Sequence, residues 1–391
     1  MDQNERIRLL KQLCAIDSRT IEGAAGTVRV AEIIGEHLKT LEFGLEWLDL
    51  PPEDQPRGRH VKAVYNPGAT PHLVLLAHVD TVLSPNDVPF RVDEEAEIVY
   101  GSGVCDMKGG CVILLDALGM ALKEAAAVRD ASLTVLLDCC EELSTPSFAE
   151  VARETARDAT ACLNFEPPGV TPDGEAQIVI GRKGVLRFDL TCSGRAAHSG
   201  NAHANGINAI RELARKVEQI ESLTDYDAGL SANVGQIVGG HAANQVADKA
   251  SMTFELRAFE AEALERLRAE ARTICSRSTV RSSEDGATTR LELQEHFSYP
   301  AWPADKGTEC LAKRYVELAK KHGVVVTPVQ RGGGSDASHV ADLVPTLDGL
   351  GILGGGMHAK TEWADLKSLA VGGRIVADLI ADLCSNGCDC T

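Results

Sequence analysis

The chain lacks several features that would place it in other classes of protein. Its 391 residues contain no apolar run near the roughly 20 residues that a membrane-spanning helix needs. The N-terminal segment MDQNERIRLLKQL is charged and lacks the apolar core of a secretion signal. Basic residues are in the minority, since 39 lysines and arginines stand against 57 aspartates and glutamates, and the formal net charge is -18. We therefore expect a cytoplasmic protein that binds neither nucleic acid nor a membrane, because both ligands demand basic patches.

Cysteine is plentiful, with twelve residues, but without a secretion signal this number does not indicate a disulfide protein. Most of the cysteines lie inside apolar runs, where cysteine behaves as a small buried hydrophobe. The tail CSNGCDC, with Cys384, Cys388 and Cys390, resembles a loose metal cluster. A structural zinc site usually needs four ligands, and no fourth is nearby in the sequence. We expect this tail to be exposed and reduced.

The hydrophobic pattern predicts two domains, one inserted into the other. Over residues 1–181, helical spacing alternates with continuous apolar runs such as 72–77 and 132–138, which is typical of an α/β domain with a mostly parallel sheet. Residues 182–297 predict the order β-α-β-β-α-β, with strands that alternate apolar and polar residues, and hence a small inserted α+β domain. The α/β pattern returns over residues 298–391.

Side chains of metal-binding type follow several of the predicted strands, at the sheet edge where ligands bind in open α/β sheets. His78 and Asp80 end the run LAHVD and point the same way, because they are two apart on a strand. Asp106 lies among glycines before a helix, and the adjacent Glu141 and Glu142 follow a buried strand. Alone, each feature has an ordinary explanation as a surface hydrogen bond, a helix cap or an acidic turn.

Two further residues make the set more specific. Glu166 follows the strand ACLNF, and His358 follows a glycine run that lets the backbone approach a ligand closely. Two histidines and three carboxylates form a good ligand set for two zinc ions that share a bridging carboxylate, with one glutamate left as a base. A second glycine cluster, RGGGSDASH, contains Arg331 and Gly334.

These segments, their order and the inserted domain resemble the di-zinc metallopeptidases and amidohydrolases that include glutamate carboxypeptidase, acetylornithine deacetylase, succinyl-diaminopimelate desuccinylase and aminoacylase. The resemblance covers nearly the whole chain and is greatest to the glutamate carboxypeptidase branch. It is carried by AHVDTV, DMKGG, the paired glutamates, FEP, GRKG, GRAAHSG, NQVAD and RGGGSDAS. It implies a zinc-peptidase-like catalytic domain with an inserted lid and dimerisation domain, so we expect a homodimer.

The resemblance also implies which residues bind the metal ions. His78 and Glu166 would bind one zinc ion, and Glu142 and His358 the other. Asp106 would bridge the two ions, and a cis peptide is expected between Asp106 and Met107. Cobalt or manganese would fit the same ligands.

The remaining site residues take roles in catalysis and substrate binding by the same resemblance. Asp80 would orient His78, and Glu141 would be the general base. His198 would reach the active site of the partner subunit and stabilise the developing oxyanion there. The residues expected to bind the substrate are Asn244, Arg257, Arg331 and Gly334. Arginine suits this task, because its planar fork donates two hydrogen bonds to one carboxylate.

The implied activity is hydrolysis of an amide bond next to a free carboxylate, with a dipeptide or an N-acyl amino acid as the small-molecule substrate. Three departures from the family pattern leave the substrate open: the turn 143–146, His241 in place of a threonine, and Tyr299 near the position of an arginine. Deacylation or desuccinylation of N-acyl amino acids by the same machinery is therefore an alternative.

Other classes of function are less well supported by the sequence. A non-catalytic metal-dependent binding protein should have lost a ligand or the base, and all six residues are present. A nucleotide-binding module is disfavoured because the chain has no GxxxxGK[ST] segment. A thiol nucleophile at Cys139 or Cys140 is disfavoured because apolar surroundings destabilise a thiolate.

Overall fold

The computed structural model describes residues 1–20, 23–52, 57–143, 145–171, 174–296 and 299–388. Over these residues there are nine α-helices: α1 (Gln3–Cys14), α2 (Ala24–Thr40), α3 (Lys108–Glu124), α4 (Ala126–Asp130), α5 (Pro146–Ala156), α6 (Ala209–Glu221), α7 (Ala261–Ser276), α8 (Lys306–Lys321) and α9 (Leu366–Asn386). None of these helices combines the length and the apolar character that a membrane-spanning segment requires.

The described part of the chain also contains seventeen β-strands. In chain order they are β1 (Gly44–Asp49), β2 (Arg59–Tyr65), β3 (His72–His78), β4 (Arg91–Asp93), β5 (Ile98–Tyr100), β6 (Ser132–Asp138), β7 (Ala161–Asn164), β8 (Gly169–Val170), β9 (Ala176–Arg182), β10 (Gly184–Ser193), β11 (Ser231–Gly239), β12 (Lys249–Ala258), β13 (Arg290–Glu295), β14 (Val326–Arg331), β15 (Thr346–Leu347), β16 (Gly354–Gly355) and β17 (Trp363–Asp365).

The chain divides into two compact units. The first consists of Met1–Gly181, Ala304–Gln330 and Ser335–Thr391, and the second of Arg182–Pro303 and Arg331–Gly334. The second unit thus extends past residue 297, where we expected the inserted domain to end. It also takes in the short segment Arg331–Gly334, which the sequence pattern places in the second part of the catalytic domain.

The first unit is built around a six-stranded sheet in the order β1-β2-β6-β3-β7-β15. β3 pairs in parallel with β6 and β7, and β7 pairs in parallel with β15, whereas β1 and β2 form an antiparallel edge. Smaller sheets have the orders β14-β9-β8 and β16-β17-β5-β4. The predicted α/β fold with a mostly parallel central sheet is confirmed.

The central strand β3 is a continuous apolar run because both of its faces are buried. Leu73 and Leu75 belong to the main hydrophobic core of the unit, together with residues of the helices α1, α2, α3 and α9. Val74 and Leu76 face the other way and pack in a separate cluster with Phe148 of α5.

Parallel pairing brings the carboxyl ends of β6, β3 and β7 to one edge of this sheet. β3 lies between the other two strands and ends at His78, which pairs in register with Asp138 at the end of β6. Glu141 and Glu142 follow β6, and Glu166 follows β7. The strand order therefore brings the acidic turn and Glu166 to opposite sides of His78.

The second unit is an antiparallel sheet in the order β11-β12-β10-β13, packed against α6 and α7. Its elements follow one another as β10, α6, β11, β12, α7 and β13, which is the predicted β-α-β-β-α-β order. Along β12, Met252, Phe254 and Leu256 are buried, and the intervening residues are less so. This alternation is the one expected of a strand with one face on a core.

The cysteines are mostly buried, as expected, but those of the C-terminal tail differ from the prediction. Ten of them are free thiols within the described residues, and nine of these are buried. Cys384 is buried rather than exposed, because it lies on the apolar face of α9 beside Leu383 and one turn after Ile380. Cys388 is half-buried, and Cys390 lies outside the described residues. Cys310 takes part in a disulfide, which the analysis did not predict.

A buried carboxylate supports the second unit. Glu212 of α6 accepts hydrogen bonds from the backbone N–H groups of Thr279 and Val280 and from the hydroxyls of Thr279 and Thr289. Lys216 Nζ lies 3.4 Å from Glu212 Oε1. Burial alone would raise the pKa of Glu212, but the four hydrogen bonds lower it below its ordinary value. The ionised carboxylate thus fastens the segment after α7 to α6.

We expect Glu212→Ala to lower the free energy of unfolding by about 3 to 5 kcal/mol at neutral pH, because the buried Lys216 ammonium loses its counter-charge and buried N–H groups lose their acceptor. Urea unfolding measures this change, with Glu218→Ala on the exposed face of α6 as the control, expected within about 0.5 kcal/mol of the wild type. A carboxyl with a lowered folded pKa stabilises above its unfolded pKa and less as the pH falls. The difference should therefore shrink in acid, and equal effects of the two variants would contradict the assignment.

Candidate metal centre

The centre is built around His78, the last residue of β3, whose ring is fully buried. Its Nδ1 lies 3.2 Å from Asp80 Oδ1 and 3.2 Å from the backbone oxygen of Asp80. Its Nε2 lies 3.1 Å from Asp106 Oδ1 and 3.5 Å from Glu166 Oε1. Donation from Nδ1–H to Asp80 leaves the lone pair of Nε2 facing the other two carboxylates, which is how a metal-binding histidine is usually held.

Asp80 connects three segments of the chain. Its carboxylate is fully buried and accepts hydrogen bonds from the backbone N–H groups of Glu141 and Glu142. It also accepts one from the hydroxyl of Thr20, at 2.6 Å. Thr20 was not predicted, because it lies sixty residues before Asp80 in a segment that carries no motif.

Asp106 presents one oxygen to each histidine. Oδ1 lies 3.1 Å from His78 Nε2, and Oδ2 lies 3.3 Å from His358 Nε2, which is also 3.1 Å from Glu142 Oε2. The structure thus brings all five predicted ligands together, with Asp106 in the middle. The peptide bond between Asp106 and Met107 is cis, as expected.

Glu142 has an unused oxygen at this centre. Its Oε1 is buried and finds no hydrogen-bond partner within the described part of the chain. A buried carboxylate oxygen without a donor is costly, and a cation is one of the partners that removes this cost. The residues present therefore fit a metal ion.

Glu141 opens a single 3₁₀ turn, Glu141–Leu143, that follows β6. One of its carboxylate oxygens lies with ligand atoms of His78 and Glu166 in a group whose members are all within 4.8 Å of one another. A second group of this kind combines His78 with Asp106 and Glu142. These groups could hold metal ions.

The crowding of carboxylates changes their acidity. Burial raises the pKa of Glu141 to about 8, with His78 opposing the rise and Glu142 adding to it. Burial and the charge of Asp106 raise the pKa of Glu166 well above its ordinary value. Burial would lower the pKa of His78, but the charge of Glu166 and the hydrogen bonds with Asp106 and Asp80 together raise it well above its ordinary value. These groups hold their protons because several carboxylates are buried close together. A bound divalent cation would compensate this negative charge.

Glu362 supports the loop that carries Asp106 and was not predicted. Its carboxylate is 3% exposed. Oε1 accepts hydrogen bonds from the N–H groups of Cys105 and Asp106, and Oε2 accepts one from Gly103. Burial raises the pKa of Glu362 to about 7, although these hydrogen bonds lower it. The only sequence signal is an acid four residues after His358, which is ordinary in a turn.

His198 and Asn244 lie next to each other in the second unit. His198 is exposed, and its Nδ1 accepts hydrogen bonds from the N–H groups of Gly200 and Asn201, each at 3.1 Å. The ring proton therefore belongs on Nε2. The backbone oxygen of Asn244 accepts a hydrogen bond from Ser199.

The other predicted substrate-binding residues, Arg257, Arg331 and Gly334, also lie in the second unit. Arg257 donates to Glu255 Oε1 through Nε and Nη2, at 2.9 and 2.8 Å, and through Nη1 to the backbone oxygen of Gly332, at 2.7 Å. Arg257 is thus in contact with the segment Arg331–Gly334. At Gly334 a Cβ atom would lie 2.2 Å from the ring of Tyr299, so only glycine fits there.

The chain is similar to known proteins in both sequence and fold. A sequence profile of the peptidase family M20/M25/M40 matches residues 74–382. Carboxypeptidase G2 of Pseudomonas sp. (strain RS-16) is 28% identical over 318 residues, which are 80% of this chain and 74% of that protein. Succinyl-diaminopimelate desuccinylase of Wolbachia pipientis wMel is 23% identical over 386 residues, 93% of this chain and 89% of that protein. The crystal structure of a tripeptidase from Staphylococcus aureus has the same fold, with a TM-score of 0.77 at 20% identity, covering 99% of this chain and 100% of that one.

We expect Glu362→Ala to lower the free energy of unfolding by at least about 2 kcal/mol, because buried backbone N–H groups lose their acceptor. Glu362→Gln should be less damaging, since its carbonyl oxygen can still accept from Cys105 and Asp106. Urea unfolding in the presence of a chelator measures both without a contribution from bound metal. The control is Glu317→Ala, an exposed residue of α8. An alanine variant as stable as this control would show that Glu362 does not support the loop.

Proposed function

The chain belongs to the peptidase family M20/M25/M40, and from this membership we propose the reaction and the residues that perform it. At the level of the family it is a hydrolase of small peptide or acyl amino acid substrates. Its finer function, in our proposal, is the two-zinc-dependent cleavage of an amide bond next to a free carboxylate, as in a carboxypeptidase.

The observation that carries this proposal is the placement of Asp106 between His78 and His358, with one oxygen towards each ring. We propose that His78 and Glu166 hold one zinc ion, that Glu142 and His358 hold the other, and that Asp106 bridges them. Imidazole and carboxylate are ligands that zinc accepts readily, and cobalt or manganese fits the same set.

Metal ions bound by these residues would polarise the amide carbonyl and lower the pKa of the attacking water. Glu141 takes the proton from that water and returns it to the leaving nitrogen. Asp80 fixes the tautomer of His78 and, through the N–H groups that it accepts, the position of the turn that carries Glu141. Within the proposed homodimer, His198 donates its Nε2–H to the oxyanion that develops in the active site of the partner subunit, a role that the hydrogen bonds on its Nδ1 support.

We assign the binding of the substrate carboxylate to Arg257, with Asn244, Arg331 and Gly334 as further contacts. Arginine suits this role by its chemistry, and contacts with Glu255 and with the backbone oxygen of Gly332 orient the guanidinium of Arg257. A planar fork of this kind recognises a carboxylate by geometry as well as by charge.

A second candidate is deacylation or desuccinylation of N-acyl amino acids. It is supported by the similarity to succinyl-diaminopimelate desuccinylase over 93% of this chain. Both reactions release an acid and an amine, so the same ligands and base serve either one. A non-catalytic metal-binding protein is a weaker candidate, because Glu141 and the five proposed ligands are all present.

We also propose a homodimer that forms through the second unit. β11 is an edge strand of its sheet and carries exposed apolar side chains, Ile237 and Val238. Edge strands of this kind readily pair with another chain. The cytoplasmic location expected from the sequence stays a prediction.

The reaction is tested by metal content and by a substrate panel. We expect the double variant His78→Ala/His358→Ala to bind about two zinc ions fewer per chain than the wild type, by elemental analysis. The panel contains N-acyl-glutamate, other N-acyl amino acids and dipeptides, each also with its carboxylate converted to an amide. Hydrolysis should stop with a chelator. Each amide should show at least about tenfold lower kcat/KM, because it loses a charged hydrogen bond.

The preferred member of the panel distinguishes the carboxypeptidase from the deacylase. Amides cleaved as well as their parent acids would contradict recognition of a free carboxylate. An unchanged zinc content in the double variant would contradict the proposed ligands.

The base is tested separately by Glu141→Ala. We expect kcat to fall by about 10² to 10⁴-fold, because general-base assistance is lost, while the metal content stays that of the wild type. Glu150→Ala, an exposed glutamate of α5, is the matched control and should leave both unchanged. Wild-type activity in Glu141→Ala would show that another group takes the proton.

A further inference from the structure

A second group of metal-ligand side chains lies around the end of β6, and the proposed reaction does not use it. It consists of His60 in β2, Asp138 at the end of β6, and the adjacent Cys139 and Cys140. Each of these residues is at most 2% exposed. One ligand atom from each lies within 4.8 Å of all the others.

Three separations within this group are close to those of a tetrahedral site. His60 Nδ1 lies 3.1 Å from Asp138 Oδ1 and 3.6 Å from Cys139 Sγ, and the Sγ atoms of Cys139 and Cys140 are 4.0 Å apart. Tetrahedral zinc with bonds of about 2.3 Å to sulfur and about 2.0 Å to nitrogen or oxygen implies edges of about 3.3 Å for N–O, about 3.5 Å for N–S and about 3.8 Å for S–S. The observed distances follow the same order and differ from these edges by only a few tenths of an ångström.

The end of β6 explains how adjacent cysteines come to lie on one side. Within a strand, neighbouring side chains point to opposite faces of the sheet. β6 ends at Asp138, so Cys139 and Cys140 lie where the chain leaves the sheet. The turn is held by a hydrogen bond of 2.8 Å from the N–H of Cys140 to Asp138 Oδ1.

The surroundings orient His60 as a ligand. Its Nε2 lies 3.0 Å from Ser147 Oγ, and its ring packs edge-on against Phe148 with 5.3 Å between the ring centroids. When Nε2–H donates to Ser147, the lone pair of Nδ1 faces Asp138 and Cys139. An outer hydrogen bond that fixes the tautomer of a histidine is typical of metal sites. Cys140 Sγ in turn contacts Thr145 Oγ1 at 3.1 Å.

We propose that His60, Asp138, Cys139 and Cys140 bind one zinc ion at a structural site that is separate from the catalytic centre. Thiolate, imidazole and carboxylate together favour zinc, and four protein ligands leave no open position for a substrate. The metal binds the thiolate forms, so two thiol protons are released on binding. The site would hold the turn immediately before Glu141 and Glu142. The inference stands on geometry alone and does not depend on the proposed function.

Cobalt substitution tests this site in the unmodified protein. The chain is purified under reducing conditions, stripped of metal with a chelator and titrated with Co²⁺. Thiolate ligation gives a sulfur-to-cobalt charge-transfer band in the near ultraviolet, whereas the proposed catalytic ligands are all nitrogen and oxygen. We expect this band to reach the intensity of one thiolate-bound cobalt ion per chain once all sites are filled. Its absence from the wild type would overturn the proposal without the use of any variant.

Variants then assign the band to residues. Cys139→Ala/Cys140→Ala should lose the band and about one metal ion per chain. The matched control Cys162→Ala/Cys192→Ala removes two other buried thiols and should keep both. His78→Ala/His358→Ala should keep the band while losing the catalytic ions, so failure of one site is distinguishable from failure of the other. A band that persists in Cys139→Ala/Cys140→Ala would overturn the assignment, leaving a buried His60–Asp138 pair beside two ordinary thiols.

Discussion

The carboxylate of Asp80 is the group on which the geometry of the centre depends. It is fully buried, and it is satisfied by the ring of His78, by the N–H groups of Glu141 and Glu142, and by the hydroxyl of Thr20. A buried carboxylate is stable only while such partners are in place. The end of β3, the turn after β6 and the segment after α1 are therefore held together by one side chain. The same contacts determine which nitrogen of His78 faces the other acids.

The rest of the centre depends on two different kinds of constraint. The parallel pairing of β6, β3 and β7 brings short segments of the chain to one edge, whatever their side chains. Asp106 and His358 instead lie on loops, and the buried carboxylate of Glu362 holds the first of these loops through backbone hydrogen bonds. Burial raises the pKa values of Glu141 and Glu166, and repulsion from the neighbouring carboxylates raises them further.

Features that leave a pattern in consecutive residues could be predicted from the sequence, whereas contacts between distant residues could not. Continuous apolar runs predicted β3 and β6, and period-two alternation predicted β12, because burial on two faces or on one leaves a direct trace in the residues. Thr20 and Glu362 left no such trace. Glu362 accepts the N–H of Gly103 across 259 residues of chain, and a single acid has no period that would announce a partner at that distance. The segment Arg331–Gly334 groups with the second unit, and its glycines carry no hydrophobic pattern from which this grouping could be predicted.

The end of β6 shows how one structural event can place two sets of ligands. Within the strand, adjacent residues would point to opposite faces, and neither the cysteine pair nor the glutamate pair could converge on one point. Because the chain leaves the sheet after Asp138, Cys139 and Cys140 turn to the side of His60, and the 3₁₀ turn that follows directs Glu141 and Glu142 towards His78. From the sequence, a reactive thiol here was disfavoured, because apolar burial destabilises a free thiolate. A cation in contact with both sulfur atoms removes that objection, since it replaces water as the partner of the charge. Burial then favours a site with four protein ligands and no open position for substrate. The residues of this site, which the catalytic reaction does not use, would hold the turn that carries the proposed base Glu141.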